Sequence, residues 1–229
     1  MQNRIKSRDF SYNYYRQMLQ RAKALNYDIY NLRDFVSKGS YSSRVLLLRH
    51  DVDKNPHSLA PMLAIEQELE VTSSVYLRVA GAEYNPWGYA ISQELRNLEF
   101  KGFEIGLHSN YLEFSSYLGL NPFQVLKMEI NSLREFYDIS SLSCHRDVNY
   151  VYNSLPHLNS NWEQIKNELD LDFHAYDENL FGSLAYVNEG LDPHLCWRNS
   201  TPDEMLDQMQ SFYLLTHNHW WYESIPFLS

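Results

Sequence analysis

The chain has 229 residues, of which 44% are hydrophobic and 15% aromatic, and its formal net charge is −10. This length is enough for one well-buried domain or two small ones. The negative charge argues against a nucleic-acid or anionic-membrane surface, because phosphate contacts need clustered Lys and Arg. Clefts lined by Tyr, Trp, Asn and His would instead suit a neutral polyol or sugar.

The cysteine content and the N-terminal residues indicate the compartment. Cys144 and Cys196 are the only cysteines, so we expect no disulfide framework, as is typical of a reducing cytoplasm. Residues 1–10 are polar and lack the apolar core of a signal peptide. No run approaches the roughly 18 apolar residues of a membrane span. We therefore expect a cytoplasmic protein without a transmembrane segment, whose oligomeric state the sequence does not indicate.

The chain shows no internal repeat and no flexible linker, so we predict a single domain over residues 1–229, with an N-terminal helical segment (residues 1–40) packed on it. An amphipathic helix is predicted over residues 11–25, and a short helix around residues 32–36. The predicted strands after these cover residues 45–51, 73–79, 103–108, 142–145, 171–175, 184–187 and 212–217. The predicted helices between them cover residues 56–69, 91–101, 122–137, 161–169 and 202–209. Strands separated by helices of about 10 to 15 residues imply βαβ units, a parallel sheet and the α/β class.

Titratable side chains lie at the ends of several predicted strands. They are Asp51, Asp53, His108, His145, Arg146 and His217. In a parallel barrel the carboxyl ends of the strands converge on one mouth. The sequence therefore predicts a functional site at that edge.

Asp51 and Asp53 should point the same way, because residues of a strand alternate between two faces. Two such carboxylates repel each other unless a metal, a cation or a proton lies between them. Asn55 and Pro56 then read as the N-cap and first residue of a helix. In the alternative interpretation, one acid caps this helix and the other pairs with Arg49.

His108 and His145 are candidate metal ligands. A lone histidine at a strand end is more often structural, but His108 would face the end of a strand that carries two acids. Gly106 leaves room beside it for a ligand or a neighbouring chain. Arg146 could hold a catalytic carboxylate ionised, or it could pair with Asp147 at the surface.

The last predicted strand ends in two histidines and two tryptophans. Alternation would place His217 and His219 on one face, where they could chelate a metal. Equally, one could be functional while the other stacks on a tryptophan. Trp220 and Trp221 would form either a wall that stacks on carbohydrate or a structural lid.

Other patterns are absent or weak. The sequence contains no G-x-S-x-G elbow, no Walker loop, no G-x-G-x-x-G motif and no C-x-x-C pair. Their absence argues against serine hydrolases, P-loop enzymes and dinucleotide-binding folds. Two further pairs, Asn188–Glu189 and Asp177–Glu178, are interpreted as solvated loop residues.

Four segments together resemble the polysaccharide deacetylase superfamily, the NodB-homology proteins of carbohydrate esterase family 4. They are Leu48–Asp53, Glu104–His108, Cys144–Arg146 and Thr216–Trp221. The resemblance extends from about residue 8 to the C-terminus and is greatest with the subgroup associated with bacterial surface-polysaccharide clusters. It implies a distorted or incomplete (β/α) barrel with a metal site at its mouth.

The resemblance also implies roles for individual residues. Asp53 and His108 would be metal ligands, and Asp51 would be the general base. His217 would be the general acid, and Arg146 would orient the base.

The chain departs from the family pattern at two places. The second histidine, expected four residues after the first, is replaced by Leu112, which cannot bind a metal. The third ligand must then come from elsewhere, with His145 as the first choice and His217 or Asn110 as alternatives. The proline expected after the last-strand histidine is replaced by Asn218.

The function implied by the resemblance is removal of an N- or O-acetyl group from a sugar or polysaccharide precursor by a metal-dependent hydrolase. The expected cofactor is a divalent metal, with zinc as the first choice and cobalt or nickel as alternatives. Trp220, Trp221 and Asn110 are the expected substrate contacts.

Two alternatives stay open at this point. One is another barrel metal hydrolase, an amidohydrolase or a phosphoesterase, that uses His217 and His219 as a chelating pair. The other is a non-catalytic carbohydrate-binding homologue, which the leucine at position 112 suggests.

Overall fold

The structure, a computed structural model, describes residues 9–41, 44–145, 153–190 and 196–223. They fall into two compact units. Unit 1 comprises residues 1–74 and 181–229, and unit 2 comprises residues 75–180. None of the helices in the described ranges has the length and hydropathy that a membrane span requires.

Helices and strands alternate along most of the chain. The helices are α1 (Tyr12–Ala24), α2 (Leu32–Lys38), α3 (Ala60–Glu68), α4 (Tyr89–Phe100), α5 (Tyr111–Leu118), α6 (Pro122–Arg134), α7 (Ser154–Leu169), α8 (Glu178–Phe181) and α9 (Pro202–Asp207). The strands are β1 (Tyr27–Tyr30), β2 (Arg44–Val52), β3 (Ser74–Leu77), β4 (Glu104–Ser109), β5 (Ser141–Cys144), β6 (Phe173–His174), β7 (Ala185–Asn188) and β8 (Phe212–His217). Two short 3₁₀ helices cover Pro56–Leu59 and Asn218–Trp220. This alternation confirms the predicted α/β class.

The sequence pattern missed α5 and α8 and placed the start of α7 too late. The reason is clearest for α5, whose buried side chains are Tyr111 and Ser115, while Tyr117 and Leu118 are exposed. A helix that buries one serine and exposes two large apolar residues has no apolar stripe with a period of 3.6 residues. It is visible only once the structure shows what its neighbours cover.

Asn55 occupies the predicted N-cap position before Pro56, but it does not cap the helix with its side chain. Asn55 adopts a left-handed conformation with φ of 34°, and its side chain makes no capping hydrogen bond. The predicted single helix divides into the 3₁₀ helix Pro56–Leu59 and α3. Pro56 does begin the first of them, where its missing N–H is not needed.

Unit 1 contains a parallel sheet with the strand order β1–β2–β8–β7. Its central strand β2 is buried along its length from Val45 to Val52. A parallel strand covered on both faces is expected to read as a continuous apolar run, and Val45–Leu48 does so. The charged residues that follow are therefore buried at the carboxyl end of a central strand.

A buried polar network holds the side of β2 that carries His50. The Nε2 atom of His50 lies 2.7 Å from Oε1 of Glu66, and its Nδ1 atom lies 2.5 Å from the hydroxyl of Thr216 on β8. Tyr15 of α1 and Ser73 donate hydrogen bonds to the same glutamate. Each member of this network has a partner, as buried polar groups require. The network joins α1, α3 and the two central strands of unit 1.

Unit 2 contains a second set of parallel strands, in the order β3–β4–β5–β6. Gly106 lies in the middle of β4, and a Cβ atom there would come within 2.4 Å of the Tyr76 ring on β3. The sequence left two possibilities for the space beside Gly106, a ligand or a neighbouring segment of the chain, and the structure shows the second. The glycine makes room for a tyrosine of the adjacent strand, not for a ligand.

Candidate active site

The candidate catalytic residues of unit 1 lie at the carboxyl ends of two paired strands. Strands β2 and β8 are parallel neighbours, and their register pairs Asp51 with His217. Side chains at the same ends of neighbouring parallel strands emerge at one edge of a sheet. The structure thus brings together the two residues predicted to be the general base and the general acid.

Arg49 binds Asp51 in a buried, bidentate ion pair. Its Nε and Nη2 atoms donate to the two carboxylate oxygens over 2.8 and 2.6 Å, and Nη1 donates to the hydroxyl of Tyr213 over 3.0 Å. The exposed fractions of Arg49 and Asp51 are 0% and 1%. The alternative interpretation of the sequence had one of the two acids pair with Arg49, and the structure shows that this acid is Asp51, two residues along the same strand. The two hydrogen bonds fix the carboxylate in one orientation and give it a cation as partner.

His217 lies among carboxylates. Its Nδ1 atom is 3.1 Å from Oε2 of Glu189, and its Nε2 atom is 3.9 Å from Oδ2 of Asp53. Burial would by itself lower the pKa of His217, but the hydrogen bond and charge of Glu189, together with Asp53 and Asp51, raise that pKa to about 9. The imidazole is therefore protonated at neutral pH and can donate a proton.

Glu189 is a candidate functional residue that the sequence pattern did not reveal. It was interpreted as a solvated loop residue, but its exposed fraction is 2%. Besides the ring of His217, it accepts hydrogen bonds from the backbone N–H of His217 over 3.0 Å and from the indole N–H of Trp221 over 2.8 Å. Glu189 directly follows β7, the neighbour of β8, so its position at a strand end could have suggested this role.

Trp221 is part of the core of unit 1. Its exposed fraction is 4%, and its ring packs against Phe10 and Tyr15 at centroid distances of 5.4 and 5.3 Å. Of the two roles left open for this residue, its burial favours the structural one. Trp220 is half-buried, and its ring centroid lies 4.7 Å from that of His217.

The expectation that His217 and His219 share the face of a strand is wrong. Strand β8 ends at His217, and Asn218–Trp220 form a 3₁₀ helix, so alternation does not continue to His219. The two rings lie 6.2 Å apart, centroid to centroid, with an angle of 73° between their planes. This geometry does not support a chelating pair.

Asn218 fastens the loop that follows β2. Its side-chain amide donates hydrogen bonds to the carbonyls of Lys54 and Asn55 over 3.0 and 2.8 Å. A proline at position 218 could not make these bonds. Asn218 thus fixes the loop directly after Asp53.

Unit 2 holds two candidate metal ligands at the ends of β4 and β5. His108 is 2% exposed, and its Nδ1 atom lies 3.0 Å from the hydroxyl of Ser143. The backbone N–H of His145 donates to the carbonyl of Ser109 over 2.8 Å, so it extends the pairing of β4 with β5. The ring centroids of the two imidazoles are 5.2 Å apart. One ring nitrogen of His108 lies within 4.8 Å of one ring nitrogen of His145.

A buried acid supports the end of β4. Glu129 of α6 accepts a hydrogen bond of 2.5 Å from Ser109, the residue after His108. Burial raises the pKa of Glu129 to about 7, although the hydrogen bond from Ser109, the charge of Arg78 and the backbone of Ala80 act to lower it. The sequence analysis assigned no role to Glu129, because a glutamate inside a predicted helix is usually solvated.

Of the three remaining residues named from the sequence, the structure describes Asn110 and Leu112 but not Arg146. Asn110 accepts from Arg78 over 3.4 Å and donates to Glu113 over 3.0 Å. Leu112 lies in the first turn of α5. Arg146, the predicted partner of the base, lies outside the described residues.

Comparison with known proteins yields a structural match. No family model and no curated protein sequence matches the chain. Among solved structures, the chain is similar to the Streptococcus pyogenes deacetylase PplD in complex with acetate, with a TM-score of 0.50 and 13% sequence identity over 87% of each chain. At this identity the similarity shows the fold alone. The chain therefore has the α/β fold of this deacetylase, which confirms the fold expected from its resemblance to the polysaccharide deacetylase superfamily.

Proposed function

We propose that the protein is a metal-dependent hydrolase that removes an N- or O-acetyl group from a sugar or polysaccharide precursor. The observation that carries the proposal is the pairing of Asp51 with His217 at adjacent strand ends, each held by a group of opposite charge. A carboxylate paired with a guanidinium and an imidazole kept protonated suit a general base and a general acid. The shared fold with a deacetylase in complex with acetate agrees with an acetyl group as the part removed.

We further propose that Asp53, His108 and His145 bind one divalent metal. One aspartate and two histidines are a set of donor groups that suits such an ion. Zinc sites with three protein ligands and an open position are typical of hydrolases, and zinc is our first choice, with cobalt or nickel as alternatives. The contact of His108 with Ser143 supports this role, because a ligand histidine usually has its other nitrogen fixed by a partner.

The residues act on the substrate in a fixed order. When bound, a divalent cation would polarise the acetyl carbonyl and lower the pKa of a water molecule. Asp51 accepts a proton from the water whose oxygen forms a bond to the carbonyl carbon. His217 donates its proton to the sugar nitrogen or oxygen as the bond to the acetyl carbon breaks, so that acetate and the free sugar amine or hydroxyl are released.

We also propose substrate contacts, a cellular location, a domain organisation and a role for Arg146. Trp220 and Asn110 are the substrate contacts we favour, and Trp221 acts on the site through its hydrogen bond to Glu189. We also propose a cytoplasmic location, a single domain, and a role for Arg146 in orienting Asp51 alongside Arg49.

The test is elemental analysis of the purified protein before and after chelator, combined with deacetylation assays on acetylated amino sugars. We expect Asp53→Ala and His108→Ala to lose the metal, because each removes a ligand. Asp51→Asn should keep the metal and lower kcat by at least about 100-fold, since it removes only the base. The matched controls are Asp138→Ala and His57→Ala, which change exposed side chains.

Two results would contradict the proposal. If Asp51→Asn loses metal as readily as Asp53→Ala, the roles of base and ligand are misassigned. If the wild-type protein binds no zinc, cobalt or nickel, the protein is not a metal hydrolase, and a carbohydrate-binding homologue becomes the better interpretation.

A further inference from the structure

We infer that a cavity in unit 2 binds a saccharide and favours one with a free amino group. The cavity has a volume of about 460 Å³ and lies between α7 and the segment that follows β6. This volume is in the usual range for ligand sites, about 300 to 1,000 Å³. None of the residues discussed above as base, acid or metal ligand lines it.

Aromatic side chains form one wall of the cavity. Trp162 of α7 meets His174 of β6 edge to face, with ring centroids 4.7 Å apart, and Tyr176 lies beside them. The backbone N–H of Tyr176 donates to Nδ1 of His174, and its hydroxyl donates to the carbonyl of Cys144 over 3.3 Å. This wall is therefore held in place before any ligand binds. One face of a pyranose ring presents C–H groups, and such a face packs on aromatic rings.

Amide and hydroxyl side chains surround this wall. Asn159, Ser160, Asn161 and Gln164 of α7 and Asn179 all contribute. Asn159 and Ser160 are exposed and make no side-chain hydrogen bond to another residue in the described part of the chain. Their groups can turn toward a ligand at little cost. An aromatic wall with many short polar groups matches a ring that carries several hydroxyls better than it matches an apolar ligand.

The charge of the cavity selects among saccharides. Glu163, Asp177 and Glu178 line it, and no Lys or Arg is among its described lining residues. A negative potential without a compensating cation repels uronic acids and sugar phosphates and attracts an ammonium group. A glucosamine-type sugar, which is protonated near neutral pH, fits both the rings and the charge.

A hydrogen bond connects the cavity to the strand end that carries a proposed metal ligand. The hydroxyl of Tyr176 reaches the carbonyl of Cys144, the residue directly before His145. One residue that lines the cavity is thus in contact with the residue that precedes a proposed metal ligand. The role as a subsite for an already deacetylated sugar of the substrate rests on the proposed function, whereas saccharide binding by itself does not.

Calorimetric titration of the full-length protein with three tetrasaccharides tests the inference. The probes are a glucosamine tetramer, an N-acetylglucosamine tetramer and a galacturonate tetramer, each added to chelator-treated protein so that no turnover occurs. We expect the glucosamine tetramer to bind tightest and the galacturonate tetramer not to bind. Trp162→Ala should weaken the binding of the glucosamine tetramer by about tenfold or more, because the stacking surface is lost. Glu163→Gln combined with Asp177→Asn should reduce the preference for glucosamine over N-acetylglucosamine.

Trp87→Ala is the matched control, since Trp87 is also half-buried in unit 2 but does not line the cavity. Equal binding by the Trp162→Ala and Trp87→Ala variants would overturn the inference, as would the absence of binding by every probe. Thermal unfolding of each variant separates a lost site from a lost fold, and Trp162→Phe should restore most of the affinity if stacking is the cause. Asp53→Ala should keep saccharide binding while it loses deacetylation, so a failure of this inference can be told apart from a failure of the proposed function.

Discussion

At the scale of single residues, the protonation of His217 depends on one buried carboxylate. Glu189 supplies both a hydrogen bond and a charge to the imidazole, and these outweigh the effect of burial. The same glutamate is fixed by the indole N–H of Trp221. The protonation of His217 thus depends on Glu189, which Trp221 holds in place at the ends of β7 and β8.

We expect Glu189→Gln to lower the pKa of His217 from about 9 toward its ordinary value of 6.5, because the amide keeps a hydrogen-bonding group but removes the charge. The measurement is an NMR titration of the imidazole in chelator-treated protein. A folded-state pKa above the unfolded one contributes stability that is complete below about pH 6.5 and is lost as the pH rises through about 9. The stability difference between wild type and variant should therefore shrink over that window. Glu94→Gln, an exposed substitution, should leave the titration unchanged, and an unchanged His217 pKa in Glu189→Gln would refute the assignment.

Glu129 should also make stability fall as the pH rises, but over a lower pH range. Its pKa is raised from 4.5 to about 7, so the folded state holds a proton that the unfolded state has already released. The free energy of unfolding should fall as the pH rises from about 4.5 to about 7 and then level off. Glu129→Gln does not titrate, so its stability relative to wild type should rise across this window in urea unfolding experiments. A difference that is constant with pH would show that Glu129 is not responsible.

At the scale of elements, the close approach of β3 and β4 depends on Gly106. A methyl group at this position would lie 2.4 Å from the Tyr76 ring and 3.0 Å from the hydroxyl of Ser141 on β5. Both neighbours are buried in the same set of strands, so neither can move away freely. The strand that carries His108 is therefore positioned by the absence of a side chain two residues earlier.

We expect Gly106→Ala to destabilise the protein by about 1 to 3 kcal/mol, as overpacking of a buried site does. The measurement is the midpoint of urea unfolding at constant m. The loss should be smaller in a Tyr76→Leu background, because the clashing ring is gone. Gly119→Ala is the control. The φ of 66° strains an alanine at this position, but its Cβ atom would meet no atom within 4 Å. Its effect on the free energy of unfolding should therefore simply add to that of Tyr76→Leu. Equal coupling for both glycines would contradict the steric explanation.

At the scale of the whole molecule, the proposed metal would connect binding to stability. A ligand that binds only the folded state stabilises it by about 2.7 kcal/mol at a free concentration of 100 times Kd. The formal charge of −10 also favours the uptake of a cation. The melting temperature should consequently report the metal site independently of activity.

We expect zinc to raise the Tm of chelator-treated wild-type protein and to have no effect on that of Asp53→Ala or His108→Ala, as measured by differential scanning calorimetry. His57→Ala should respond like the wild type, because this histidine is exposed and belongs to no proposed ligand set. A rise in Tm of the same size in Asp53→Ala would place the metal elsewhere.

Much of the fold could be predicted from the sequence because each strand carries its own local signal. The run Val45–Leu48 predicted a buried parallel strand, and helices between strands predicted the parallel sheet that the structure shows. The roles of Arg49 and Glu189 could not be predicted with the same certainty. Arg49 had two candidate partners, and Glu189 looked like a loop residue until its burial was known.

The sequence by itself determined the α/β class, the strand ends that carry the candidate site residues and the resemblance to deacetylases, because these depend on local periodicity and on residue types at fixed spacing. Only the tertiary structure decided that Asp51 pairs with Arg49, that Glu189 keeps His217 protonated and that Trp221 belongs to the core. The physical reason is that burial, hydrogen-bond partners and pKa values depend on which side chains meet in space. Residues such as Glu189 and His217 are 28 positions apart in the chain and become partners only through the pairing of β7 with β8.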